Sequence, residues 1–255
     1  MAFDQYAVYY DLLYQDKDYK KEAEYIYSLL QKYAPKAQAL FDLGCGTGRH
    51  AELLAQMGDY KIFGIDQSEE MLRFAFSRAT SNRNLHFFHG SLQNFSLPNQ
   101  ADVITALFHV MSYQATDTLV IDALKNIAKH LKPGGIFLFD CWYGPAVLLQ
   151  RPELRVKRAE NERVKVTRIA EPKMRENENI VEVHYDTFAE DKQKHTLIEF
   201  QETHIMRYFF LGELQYYLQQ AGFSLLDSFE FMTNCPLGGG HMGQLLCNET
   251  AGVAG

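Results

Sequence analysis

Long apolar runs are missing from this chain. No window approaches the ~18 uninterrupted apolar residues of a membrane-spanning helix. The N-terminal stretch MAFDQYAVYYDLLYQDKDYKK lacks a basic segment followed by an apolar one, so no secretory signal is expected. Cysteine is scarce: Cys45, Cys141, Cys235 and Cys247 stand far apart with no CxxC pair. That spacing argues against a disulfide framework or a zinc ribbon and predicts free thiols in a cytoplasmic protein. Positive charge is short as well, with 25 Lys and Arg against 32 Asp and Glu and a net charge of −7. A general nucleic-acid binder usually carries a basic footprint, so neither nucleic acid nor a membrane is an expected partner. A small anionic ligand in a local basic pocket stays open. No GxSxG or Cys/His arrangement argues for covalent catalysis. His86 and His89 are three apart in a strand-like segment and point to opposite faces, so no metal site is expected.

What is present is enough apolar residue for a core: 47% of 255, a length that suits one large domain or one domain with an elaboration. From Asp18 to Tyr33 the residues Ala23, Ile26, Leu29, Leu30 and Tyr33 recur at helical spacing, and Pro35 stops the pattern. Strand-like segments near 39–43, 60–66, 84–89, 101–108 and 135–141 then alternate with helix-like segments near 48–57, 68–80 and 117–131. In the last of these Leu119, Ala123, Leu124, Ile127 and Leu131 form the expected apolar face. Asp117 is the expected cap, and Pro133-Gly134-Gly135 the turn after the helix. This alternation predicts an α/β fold with a parallel sheet covered on both faces and ligands beyond the carboxyl ends of its strands. It breaks after Tyr143, where residues 154–159, 163–170, 179–189 and 195–209 are β-rich and separated by polar turns. A helix near 211–221 and strands near 223–232 and 243–248 return to the sheet. The expected organisation is residues 1–142 as N-terminal lid helices and ligand-binding core, 143–209 as a β-rich insertion after the fifth strand, and 210–255 as the return.

The sharpest motif is Asp42-Leu43-Gly44-Cys45-Gly46-Thr47-Gly48, which follows an apolar strand and opens a helix. Glycines allow a tight turn and close backbone approach, and the helix N-terminus offers unpaired N–H groups. A dinucleotide fingerprint needs its third glycine at position 49, which is Arg49, so a dinucleotide oxidoreductase is disfavoured. Asp42 suits a positively charged amino-acid end on the ligand. Asp66, followed by Gln67, ends the next strand twenty residues past Gly46 and is placed to accept both hydroxyl hydrogens of a ribose. Ser68 is the expected N-cap of the following helix. Met71 suits either an adenine face or ordinary core. Gly90, Ser91 and Leu92, at the end of the third strand, are placed to read an adenine edge.

In this order the glycine loop, acidic strand end, adenine turn and LKPGG resemble the class I S-adenosylmethionine-dependent methyltransferases over roughly residues 36–141 and the C-terminal return. The resemblance implies a Rossmann-like seven-stranded sheet with helices on both faces and S-adenosyl-L-methionine as cofactor. Ser91 stands where many relatives have Asp. In such a fold the end of the fourth strand faces the transferred methyl group. There Phe108 offers its backbone to the methionine portion, and His109 and Tyr113 are candidate bases or positioning groups. Each also admits a packing role. Tyr6, Tyr10 and Tyr14 recur at four-residue spacing and share one helix face, as a lid over the methyl donor or as a stripe on the core.

A narrower resemblance runs along the whole chain, to the N,N-dimethyltransferases of nucleotide-linked deoxy-amino sugars. It rests on Tyr10-Asp11-Leu12, Lys17-Asp18-Tyr19, Pro35-Lys36-Ala37, Trp142, Val166-Thr167-Arg168, Glu182-Val183-His184-Tyr185 and Glu202-Thr203-His204. It implies that Tyr10 and Tyr19 approach the cofactor and Tyr113 the acceptor amine, at a position where the family usually has histidine. Residues 151–175 carry nine Lys and Arg against four Asp and Glu, and Arg168 among them suits a diphosphate. Trp142 and Tyr185 supply aromatic surface, and His241 in the Gly238-Gly239-Gly240 loop is a further phosphate candidate. The expected enzyme is a small-molecule methyltransferase acting on the amino group of a dTDP- or UDP-linked sugar. A glycine-like amine, an oxygen acceptor, or a non-catalytic S-adenosylmethionine sensor are the alternatives. The oligomeric state is open, a homodimer included.

Overall fold

The computed structural model describes residues 6–80, 82–233, 235–239 and 243–249. Five strands, β1 (Ala39–Leu43), β2 (Lys61–Asp66), β3 (Leu85–His89), β4 (Ala101–Ala106) and β5 (Leu131–Tyr143), pair in parallel in the order β3-β2-β1-β4-β5. Two antiparallel strands complete a seven-stranded core: β11 (Gly243–Glu249) pairs with β5, and β10 (Phe223–Glu230) pairs with β11. The parallel sheet is the one expected from the alternation, and the seven-stranded Rossmann-like form is the one that the resemblance implied.

Alternate side chains of the parallel strands enter two apolar layers, as strand geometry requires. Phe41, Leu43, Phe137 and Phe139 face α5 (Asp117–His130) and α7 (Leu211–Gln220). Leu40, Ile136 and Leu138 face α2 (Tyr19–Tyr33), α3 (Arg49–Met57) and α4 (Glu69–Ala79).

The insertion is an antiparallel meander of β6 (Arg155–Glu160), β7 (Val164–Arg175), β8 (Ile180–Asp191) and β9 (Thr196–Phe209). It joins the core sheet where the end of β5 pairs in parallel with the end of β9, Trp142 with Tyr208 and Tyr143 with Phe209. The first helix, α1 (Ala7–Leu13), lies on the insertion: Tyr6 and Leu13 pack with Ala159, Val166, Ala189 and Phe200. A short helix, α6 (Gly144–Leu149), between β5 and β6 had no counterpart in the sequence reading. Among the described residues no helix is long and apolar enough to cross a membrane, and no cluster of His, Cys, Asp and Glu could hold a metal ion.

Four local expectations change. The fourth strand stops at Ala106, because Phe108 and His109 take left-handed backbone conformations that leave the pleat. Pro133, Gly134 and Gly135 lie inside the long β5 rather than in a turn before it. Val120, not Leu119, is buried on α5, and Leu119 is exposed. The α5 cap is Thr116, whose hydroxyl accepts the Leu119 amide at 3.3 Å; Asp117 instead takes hydrogen bonds from Arg207 and Tyr217.

Thr116→Ala is expected to lower the unfolding free energy by about 0.5–2 kcal/mol, with Thr116→Asn close to the parent. Denaturant unfolding of the two variants checks this. Equal losses in both would remove the side-chain cap.

Candidate functional site

The glycine loop leaves β1 with Gly44, Gly46 and Gly48 all at positive φ. A Cβ on Gly44 would overlap the Val110 methyl groups, and one on Gly48 would stand 2.7 Å from the Phe87 ring. Gly46 is different: nothing lies within 4 Å of its missing Cβ, so its backbone borders open space. The loop is pinned by β2. Asp66 accepts the Gly46 amide on one carboxylate oxygen and the Ser68 amide on the other, both at 2.8 Å. The Gln67 amide donates to the same carboxylate, and what acceptor capacity remains is available to a ligand diol. Burial raises the Asp66 pKa despite these amides. Asp42, one strand over, is 2% exposed and accepts the Thr105 hydroxyl at 2.9 Å. Burial pushes it up to about 6, against the opposing pull of His50 and of that hydroxyl.

Ser68 caps α4 through the Met71 amide, as expected. Met71 is buried and still borders the cavity beside Gln67. At the β3 end the Gly90 amide goes to the Asp66 carbonyl and the Ser91 amide to Asn94 Oδ1. Those two amides are therefore committed within the protein, and the Ser91 hydroxyl remains as a polar group for the cavity.

At the end of β4, Phe108 and His109 have φ of 65° and 67°. Their amides both point at Asp140, on β5, at 2.7 and 2.5 Å. The Phe108 N–H is thus taken by a carboxylate, so a backbone contact from Phe108 to a ligand would fall to its carbonyl. His109 turns Nδ1 to the same carboxylate at 3.4 Å, and its ring lies 6.1 Å from Trp142. Burial pushes Asp140 up, but His109 and the two amides outweigh it and hold the carboxyl below its ordinary range. The sequence signal for Asp140 was a lone acid in an otherwise apolar strand.

The 3-10 turn Val110–Tyr113 then delivers Tyr113, whose hydroxyl lies 2.8 Å from His204 Nδ1 on β9. Burial first, then neighbouring Tyr185, Tyr14 and Glu202, raise the Tyr113 pKa well above its usual value. Tyr113 is therefore a neutral phenol at ordinary pH, not a phenolate. His204 belonged to a quoted motif but had not been singled out as a site residue.

The tyrosines divide their contacts. Tyr10 packs against Tyr6 and Tyr14 at 5.9 and 4.7 Å between centroids, and shares a side-chain hydrogen bond with Tyr19. Arg168 is 8% exposed, donates to the hydroxyls of Tyr6 and Tyr14, and stacks 4.6 Å from the Tyr185 ring. Among the described residues no carboxylate pairs with it and its Nε has no hydrogen-bond partner. A buried cation held by neutral groups favours an anion beside it.

Two networks escaped sequence reading because their members are distant in the chain. Asp11 accepts Thr47 Oγ1 at 2.8 Å and Arg78 at 2.6 Å, while Arg78 also holds the Thr47 carbonyl and Glu52. This ties α1 to the glycine loop. Lys17 pairs with Glu22 at 2.9 Å and lies 3.4 Å from the centre of the Phe108 ring.

One cavity of ≈ 750 Å³ joins these parts. Tyr10, Tyr19, Asp42, Gly44, Cys45, Gly46, Asp66, Gln67, Met71, Gly90, Ser91, Leu92 and Phe108 border it on the core side. His109, Tyr113, Trp142, Arg168, Tyr185 and His204 border it toward the insertion. His241 lies outside the described residues.

Residues 40–135 match a family model described as a methyltransferase domain. A curated relative, dTDP-3-amino-3,6-dideoxy-alpha-D-glucopyranose N,N-dimethyltransferase of Streptomyces fradiae, is 28% identical over 236 residues, covering 92% of this chain and 88% of the relative. The dTDP-3-amino-3,4,6-trideoxy-alpha-D-glucopyranose N,N-dimethyltransferase of Streptomyces venezuelae is 34% identical over 143 residues, 55% of this chain and 58% of the relative. Among solved structures, an S-adenosylmethionine-dependent methyltransferase from Clostridium acetobutylicum ATCC 824 aligns with a TM-score of 0.81 at 22% identity, covering 98% of this chain and 100% of that one. At that identity the likeness establishes the fold.

The glycine loop generates a paired test. Gly46→Ala meets only left-handed strain, about 1–2 kcal/mol. Gly44→Ala meets the same strain plus overlap with Val110, a further ~1–3 kcal/mol of overpacking. Denaturant unfolding is expected to rank Gly44→Ala as clearly the less stable; equal losses would mean that the Val110 contact does not constrain the loop.

Proposed function

Proceeding from a methyltransferase domain at residues 40–135, we propose that this protein is an S-adenosylmethionine-dependent N-methyltransferase whose acceptor is the amino group of a dTDP- or UDP-linked deoxy-amino sugar. The observation that carries the reading is the single cavity, which runs from the glycine loop and Asp66 to the aromatic-lined Arg168 of the insertion. The names of the curated relatives support the same acceptor class. We read residues 143–209 as the acceptor wall. The dispersed free thiols suit the cytoplasm.

The residues present fit the methyl donor. Asp66 would accept from the ribose hydroxyls, Gly46 leaves room for close approach, and Asp42, which borders the cavity, would pair with an α-ammonium group. When bound, S-adenosylmethionine supplies a methyl carbon already activated by its sulfonium. The protein's task is then placement of a neutral amine in line with that carbon and exclusion of water. Tyr10, Tyr14 and Tyr19 close the cavity from the N-terminal side with rings suited to a cationic centre. Arg168 is placed to hold the diphosphate, and Trp142 and Tyr185 give apolar surface for base or sugar. Tyr113 orients the amine.

Two outcomes test this reading. Thymidine or uridine diphosphate is expected to raise the melting temperature, more so with S-adenosylhomocysteine present. Arg168→Ala is expected to erase most of that shift with little change in donor affinity. Methylation of free amines or phenols, with no shift from millimolar nucleotide, would leave the methyltransferase domain but remove the nucleotide-sugar acceptor.

Asp42 generates a pH test. Its folded pKa is raised, so the ligand-free protein retains a proton there below about pH 6. A donor ammonium favours the ionised carboxylate, and binding below that pH must release the proton. Donor affinity is therefore expected to rise from about pH 5 to about pH 6, by at most about tenfold per pH unit, and to level off above. Asp42→Asn is expected to flatten the profile in calorimetry. A flat profile in the parent protein would separate Asp42 from the ammonium.

A further inference from the structure

Tyr113 and His204 reach the same point from opposite halves of the molecule. Tyr113 comes from the turn after β4, His204 from β9 of the insertion, and their polar atoms meet at 2.8 Å. Glu202 is two residues before His204 on β9 and therefore shares its face. Its Oε2 lies 3.4 Å from His204 Nε2, and its Oε1 accepts the Tyr6 amide at 3.2 Å. His204 is 2% exposed, yet it borders the cavity. Met206 and Tyr208, next on that face of β9, are buried members of an apolar cluster. A histidine and a glutamate in line behind a cavity-facing phenol are not required by packing.

We propose that Tyr113, His204 and Glu202 form the exit path for the proton that a newly methylated acceptor nitrogen must lose, an inference that rests on the amine acceptor proposed above. Nitrogen uses its lone pair to form the N–C bond as the carbon–sulfur bond breaks, and that bonding pair stays on sulfur. Sulfur becomes a neutral thioether and nitrogen carries the positive charge. One N–H proton passes to the Tyr113 oxygen while the phenol's own proton passes to His204 Nδ1. The phenol is regenerated, and the charge that began on sulfur ends on an imidazolium. The Glu202 carboxylate, 3.4 Å from Nε2, stabilises that cation by its charge. The proton leaves His204 for water once the products have left.

Tyr113 is the member that touches substrate, and its raised pKa fits a phenol that passes protons on without ionising. His204 and Glu202 act through it. The other groups facing His204 are Tyr6, from the start of α1, with its ring 6.4 Å away, and Tyr185 of β8 at 4.6 Å. Behind Tyr185 stands Arg168 of β7, whose fixed charge opposes an imidazolium, whereas Glu202 favours one.

The test is the pH dependence of kcat with a dTDP-linked amino sugar at saturating donor, for the parent protein, His204→Gln, Glu202→Gln and Tyr113→Phe. The parent is expected to lose kcat toward acid along one limb. In His204→Gln kcat is expected to fall by about tenfold or more and the limb to vanish, with the acceptor KM little changed. In Glu202→Gln the limb is expected to move to lower pH, because the imidazolium loses its counter-charge. A parent-like kcat and profile in a folded His204→Gln protein overturns the relay and leaves the amino-sugar assignment standing. If His204→Gln does not fold, as judged by thermal unfolding and S-adenosylhomocysteine binding, an unmoved limb in Glu202→Gln overturns it instead. A parent protein that does not methylate the amino sugar overturns both readings.

Discussion

The Asp140 carboxylate organises the centre of this protein. It is fully buried at the end of β5 and takes two amide hydrogens from consecutive residues, Phe108 and His109. Both residues are left-handed without being glycine, a conformation that costs roughly 1–2 kcal/mol each. Two hydrogen bonds to a charged acceptor, at roughly 1.5–3 kcal/mol each, offset that cost. The bend they hold has three consequences. It sets Val110 against Gly44, so the turn after β4 braces the glycine loop. It puts the Ser112 hydroxyl under the Trp142 amide, 2.9 Å away, where β5 turns toward the insertion. And it carries Tyr113 across to His204. A single carboxylate thereby fixes the relative positions of the loop, the insertion and the cavity-facing phenol.

The cavity has opposite electrostatic ends. Asp42 and Asp66 lie beneath the glycine loop, both with pKa raised by burial, while Arg168 stands at the other end among tyrosine hydroxyls. Neither end is neutralised by the other. Charges held this way in a low-dielectric site are costly alone and gain most from a ligand of complementary charge. The tyrosines of α1 and α2 lie between the two ends. The Asp11 contacts with Thr47 and Arg78 keep α1 over the loop.

Local patterns in the sequence carried most of the fold. The Gly44–Gly48 spacing, the acid at the end of β2 and the helical periodicity of α2 each depend on residues within a few positions of one another, and each was legible. Adjacent choices were less so. Thr116 and Asp117 are both good caps, and only the nonlocal claim of Arg207 and Tyr217 on Asp117 decides between them. Leu119 and Val120 are both apolar, and the phase of α5 against the sheet selects Val120. Pro133-Gly134-Gly135 has the chemistry of a turn, yet pairing with β4 begins at Leu131 and resumes at Ile136, which places these residues within the strand's span. The site was legible as residue types and not as contacts. Arg168 was visible as a base in a basic stretch, but its partners Tyr6 and Tyr14 are 162 and 154 positions away. His204 is 91 positions from Tyr113, and no spacing rule joins them.

The junction between β5 and β9 also bears on how such a chain diversifies. The insertion strands satisfy their backbone groups through long antiparallel registers with one another, whereas the bond to the core sheet consists of Trp142 with Tyr208 and Tyr143 with Phe209. Few main-chain pairings have to be re-formed if the meander is exchanged for another. Successive residues of β7 and β8 alternate between the cavity face and the opposite face, so single replacements there can reshape the wall without disturbing the glycine loop or Asp66. The main-chain seam between the two parts is thus two residue pairs wide, and side-chain bonds such as Tyr113 with His204 and Asp117 with Arg207 supply the rest of the join.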